Sequence, residues 1–133
     1  MHRRSILVLG LTLVPLFSGS AEARCAVTPF ERDFADSPYV VEAVLERAGA
    51  PAHFRTVVVW KGGARAPATF DVGSRAGRGS WPWAEAGNNG QRYLLFLRPA
   101  GAVYSVRRCG ASGAMSPARR ERLEAAGAHP VRR

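Results

Sequence analysis

The chain has 133 residues, a formal charge of +9 and two cysteines. That length admits one domain with a small core and excludes a second of ordinary size. The charge admits nucleic acid, anionic lipid or acidic polymers as partners; the basic residues, all arginine except Lys61, are scattered rather than interleaved with stacking aromatics, which argues against nucleic acid.

The first 23 residues have the order of parts of a cleavable secretory signal. Arg3 and Arg4 are a positive start, Ile6 to Phe17 is an apolar run, and Ala21-Glu22-Ala23 places small residues at −3 and −1. Cleavage is expected between Ala23 and Arg24. The apolar run has about a dozen residues, short of the roughly 20 that span a bilayer, and no later segment is long or apolar enough to span. Arg24 ahead of Cys25 argues against lipidation of that cysteine. The Arg3-Arg4 pair fits twin-arginine export only loosely.

Removing residues 1–23 leaves 110 residues with both cysteines, Cys25 and Cys109, and a formal charge of +8. Two cysteines in an exported chain are most simply one disulfide. Two free thiols and an intermolecular bridge are the alternatives. If formed within the chain, the bridge closes nearly the whole domain, for which loop-closure entropy gives an upper figure of roughly 4–5 kcal/mol. Neither cysteine has a Cys or His neighbour at metal-ligand spacing, so no zinc site is expected.

Residues 24–38 read as an irregular segment broken by Pro29 and Pro38. Tyr39 to Glu46 alternates as a strand, with Tyr39, Val41, Ala43 and Leu45 on one face and Glu42 and Glu46 on the other. After the turn at Ala48-Gly49-Ala50-Pro51, Phe54 to Lys61 is the clearest strand, rich in β-branched and aromatic residues. Its alternation predicts Phe54, Thr56, Val58 and Trp60 on a common face. Ala68 to Val72 is a short third strand. A glycine-rich stretch then runs from Gly73 to Gly90 and contains Trp81-Pro82-Trp83. Arg92 to Leu97, apolar on both faces, predicts a central fourth strand, and Ala102 to Arg108 a fifth. Ser116 and Pro117 have the identities of an N-cap and first helical residue, opening a short helix that Gly127 stops. The tail, 128–133, is expected to be flexible. Five short strands and a closing helix predict an all-β fold of the small, OB-like barrel type over residues 24–127.

No catalytic, metal-binding or cofactor-binding set emerges. His53 and His129 lack a companion in any nucleophile motif. Glu31 and Asp33 are expected in solvent. Gly73, Gly77 and Gly79 are not followed by the Gly-Lys-Ser/Thr that a phosphate loop needs. Trp81 and Trp83 are the candidate ligand-binding residues, because loop aromatics concentrate binding energy. The competing expectation is that both rings fold back and cap one end of the barrel.

The residues also resemble a family. A cysteine follows the leader, Ala35-Asp36 precedes the first strand, and Val59-Trp60-Lys61-Gly62 ends the second. Gly90-Gln91-Arg92-Tyr93-Leu94-Leu95-Phe96 and Cys109-Gly110 complete the pattern. Over residues 25–110 the chain resembles the bacterial relatives of the netrin module and the tissue inhibitors of metalloproteinases. The resemblance implies an OB-like barrel tied by a disulfide from the N-terminal segment to the end of the last strand, positions that Cys25 and Cys109 match. The inhibitors chelate zinc through the amine and carbonyl of an N-terminal cysteine in a Cys-x-Cys start. Here Ala26 and Val27 follow Cys25.

The function expected is therefore a non-enzymatic exported binding module, periplasmic or secreted, acting on a protein or polysaccharide outside the cytoplasm. It needs no cofactor. Metalloprotease inhibition through the N-terminal cysteine segment is one alternative, and a basic domain for nucleic acid or anionic surfaces is another.

Overall fold

In the computed structural model, the structure describes residues 26–73 and 81–133. The expected signal, its cleavage site at Ala23 and Arg24, Cys25, Gly77 and Gly79 lie outside them.

The fourth strand organises the fold, as its two apolar faces predict. This strand, β4 (Arg92–Ala100), pairs antiparallel with β1 (Tyr39–Arg47) and with β5 (Val103–Ser105). β1 pairs with β2 (Ala52–Lys61), and β2 with β3 (Thr69–Val72). A single parallel pair, Val72 with Tyr104, joins β3 to β5 and closes five strands into an OB-like barrel. Two short strands, β6 (Gly113–Ala114) and β7 (Val131–Arg132), attach to β4 and β2. Two helices, α1 (Phe30–Asp36) and α2 (Pro117–Ala125), lie outside the barrel. Among the described residues no helix is long and apolar enough to cross a membrane.

Alternation along the strands builds two cores. Val41, Ala43 and Leu45 point inward with Tyr93, Leu95 and Leu97, around Phe54 and Phe70. Val40, Leu94 and Phe96 point outward and are covered by Phe30 of α1 and Leu123 of α2.

Strict alternation fails on β2. Glu42 faces Val58 but Ala43 faces Thr56, so Val57 is an extra residue; Val40 faces Lys61 but Val41 faces Val59, so Trp60 is another. Each such bulge exchanges the faces and adds twist. Phe54 and Val59 consequently share the barrel interior, while Val58 and Trp60 join the outer core. The expected single face from Phe54 to Trp60 is thus corrected.

Three further expectations change. Residues 30–36 are helical rather than irregular. Pro29 stands at the N-cap position of α1 and Glu31 and Asp33 occupy its first turn, where the helix dipole favours acids. The Lys61 ammonium donates to the Phe34 and Ala35 carbonyls at 2.6 and 3.1 Å, satisfying the other end. Asp33 is not in solvent but fully buried. It accepts from Arg98 at 3.0 Å and from the Ala111 amide at 2.7 Å. Within the 128–133 tail residues 131–132 form a short strand, since β3 pairs only with residues 52–55 of β2 and leaves a further stretch of its edge open. β7 pairs with Val58 and Val59 there, and the Arg133 amide donates to the Val57 carbonyl at 3.1 Å. Such an edge needs partners for its backbone groups.

Two glycines of the sequence pattern have steric reasons. Gly62 takes φ +106°, and a Cβ there would collide with the Tyr39 ring. Gly110 sits so close to Asp33 that a Cβ would strike its carboxylate. The α2 start forms as expected, with the Ser116 hydroxyl accepting from the Arg119 amide.

Candidate binding cleft

Glu42 stands on the outward face of β1, between Val40 and Val44. Covered by the C-terminal elements, its side chain is 1% exposed. Its Oε1 accepts from Arg92 at 3.1 Å. Arg120 of α2 approaches Oε2 only to 3.6 Å, and Oε2 has no hydrogen-bond partner. The indole Nε1 of Trp60, also buried, has none either. Both residues line an open cleft of about 200 Å³ between the barrel wall, α2 and the C-terminal strand. Val58 and Pro130 supply apolar wall; Arg92, Arg120, Arg132 and Glu124 complete the lining. An indole N–H buried without a partner carries a desolvation cost of about 1–3 kcal/mol, whereas the Glu42 carboxylate is held in part by Arg92 and Arg120.

Each element contributes for a reason of its own. The bulge at Trp60 turns that ring outward. β7, by filling the edge of β2, holds Arg132 beside Val58. Ser116 and Pro117 start α2 so that Leu123 anchors it and Arg120 reaches Glu42.

The tryptophan pair is placed differently from an open aromatic platform. The rings stack, with centroids 4.8 Å apart and planes 10° apart. Trp83 is 2% exposed and meets Phe54 and Tyr93 edge-on inside the barrel. Trp83 therefore caps the interior, and only the half-buried Trp81 keeps contact with solvent.

His53 lies within β2. Its Nδ1 is 2.6 Å from Asp71, and Glu46 is 3.9 Å from Nε2. Arg55 donates to Glu46 at 2.6 Å. His129 is exposed. Among the described residues no group of three or more His, Cys, Asp or Glu side chains is arranged to hold a metal.

Many arginines bond to other groups of the chain. Arg98 and Arg107 serve Asp33 and Asp36, Arg122 serves Glu31, and Arg119 donates to the Ala111 carbonyl at 2.8 Å. Burial, with Arg122 nearby, lowers the Arg119 pKa from its ordinary value. Part of the positive charge is therefore paired with carboxylates, and the chain keeps a strongly positive formal balance.

Cys109 is among the described residues and no free cysteine occurs there. The Thr28 amide donates to the Cys109 carbonyl at 2.7 Å, which brings the N-terminal segment beside it.

Sequence reasoning missed Glu42, Arg92, Arg120 and Arg132. A signal existed: Val40 and Val44 flank Glu42 on its own face, so that face was bound to be covered. Comparison with known protein families, curated proteins and solved structures finds no match to this chain.

Proposed function

We propose that the chain is an exported, non-enzymatic binding module that takes its ligand at the cleft beside Glu42. It is released by cleavage after Ala23 and closed by a Cys25–Cys109 disulfide. One observation carries the choice of site. Glu42 Oε2 and Trp60 Nε1 are buried without a hydrogen-bond partner in the protein, and both residues line one arginine-rimmed cleft. Groups of this kind are satisfied by a ligand or by ordered water. The size of the cleft suits one saccharide unit or one side chain of a protein partner. The OB-like barrel and the Thr28–Cys109 contact support membership in the netrin-like group, with the N-terminal segment tied to the end of the barrel.

The test joins two measurements. Intact mass of the exported protein, before and after reduction and alkylation, should give a chain starting at Arg24 with two thiols appearing only on reduction. Thermal melts against a panel of saccharides, organic acids and peptides should find at least one ligand whose stabilisation disappears in Arg132→Ala. An uncleaved leader would sink export. Stabilisation by no ligand, or by ligands indifferent to Arg132, would sink the cleft.

Metalloprotease inhibition is a second reading, favoured by the exposed N-terminal segment. Val27 is 81% exposed while Thr28 is pinned to Cys109. Chelation of a target zinc needs the free amine of Cys25. A mature chain starting at Cys25 would bring this reading forward, and one starting at Arg24 would remove it.

A further inference from the structure

Resting on the cleft as the binding site, we propose that its ligand is a small sugar acid, a polyhydroxylated ring or chain carrying one carboxylate. The two orphaned atoms set the first requirement. Glu42 Oε2 seeks a donor and Trp60 Nε1 seeks an acceptor. A hydroxyl does both on a single oxygen atom, donating once and accepting twice. Neighbouring hydroxyls of a polyol meet the same need when the two atoms are addressed separately. Glu42 faces Val58, and Trp60 is two residues further along the same strand, so the pair lies within the reach of a single sugar.

The electrostatics set the second requirement. Glu42 is already served by Arg92, with Arg120 close by, so an ammonium placed against it would meet two guanidinium groups. A neutral hydroxyl avoids that repulsion. The rim carries Arg92, Arg120 and Arg132 against Glu42 and Glu124, an excess of positive charge. Arg92 and Arg120 are about half exposed, which leaves guanidinium N–H groups for a second acceptor. Arg132 is held in place by the pairing of β7 with Val58. Guanidinium groups suit carboxylates through paired N–H donors. The cleft, about 200 Å³, fits one such molecule and excludes a stacked oligomer from its floor.

The experiment is a titration of the full mature chain, followed by the Trp60 indole N–H resonance in ¹H–¹⁵N spectra. The probes are D-glucuronate, D-glucose and acetate at constant ionic strength. Glucuronate should move the resonance saturably with a Kd of roughly 10⁻⁴–10⁻³ M, the range open to so small a ligand. Glucose, lacking the carboxylate, and acetate, lacking the hydroxyls, should bind at least roughly tenfold more weakly. Arg132→Ala should weaken glucuronate roughly tenfold while leaving glucose unchanged. Glu42→Gln should weaken both sugars; should it fail to fold, Arg132→Ala still decides. Equal binding of acetate and glucuronate would reduce the site to an anion site and overturn the proposal. Equal binding of glucose would remove the acid. A resonance that never moves would leave the cleft to water. If another ligand stabilises the protein through Arg132 while glucuronate does not, the sugar acid falls and the binding site stands; if neither acts, both fall.

Discussion

Asp33 shows how much one side chain holds together. It is fully buried, and it joins α1 to the end of β4 through Arg98 and to the Ala111 amide beyond Cys109. Asp33→Ala would leave Arg98 and Arg107 without their buried partner, and should cost about 3–5 kcal/mol in urea denaturation. Gly110→Ala should act on the same contact from the other side, by driving a methyl against the carboxylate. The two losses should fall short of adding in the double variant, because they break the same contact. Glu31, two residues earlier, is a contrasting case on the surface. Its hydrogen bond from Arg122 lowers its pKa from the ordinary value. A depressed acid contributes stability above its unfolded-state pKa and loses it as pH falls through the folded value. A carboxyl NMR titration should find Glu31 protonating at lower pH than an unpaired glutamate, and Arg122→Ala should reduce the difference, leaving the part due to the backbone hydrogen bond. The tryptophans divide similarly: Trp83→Ala should cost about 3–5 kcal/mol and Trp81→Ala distinctly less, read from chemical denaturation, since only Trp83 is enclosed by Phe54 and Tyr93.

At the scale of elements, the C-terminal strand serves both stability and the cleft. Deleting residues 129–133 should speed amide exchange at residues 57–59 at least roughly tenfold, leave the centre of β4 protected, and remove ligand stabilisation at the cleft. Unchanged exchange would show that β7 adds nothing to the edge of β2. How much of this was legible beforehand follows the physics of each segment. β1 and β4 could be read because their periodicity is uninterrupted and their partners cover both faces. β2 could not, because a bulge changes the side-chain phase without changing the composition. α1 escaped because it has seven residues, a proline where a capping hydroxyl is usual, and is held by tertiary partners, Lys61 among them. The tail escaped because two residues carry no period. The cleft depends on all of these at once, on a bulge, a helix and a tail strand meeting over Glu42, and so it was hidden even though each of its residues was in plain view.

For the molecule as a whole, the proposed Cys25–Cys109 bridge should matter about as much as the most important single side chains. Reduction should lower the unfolding free energy by roughly 4–5 kcal/mol at most, measured as the shift in denaturation midpoint with and without reductant. No change would mean that the N-terminal segment is held by the Thr28–Cys109 hydrogen bond and its neighbours alone. The barrel itself is unevenly closed. β1 meets β4 and β2 along long ladders, whereas β3 and β5 share one parallel pair, Val72 with Tyr104, backed by the Gly73 amide donating to the Tyr104 carbonyl at 3.0 Å. A hoop clasped at one rivet resists load according to the direction of pull. Tension applied across that junction should part it at low force, like a zip, while tension along the β1–β4 ladder must shear many bonds together, so the domain should behave as a mechanically anisotropic body, soft along one seam and stiff everywhere else.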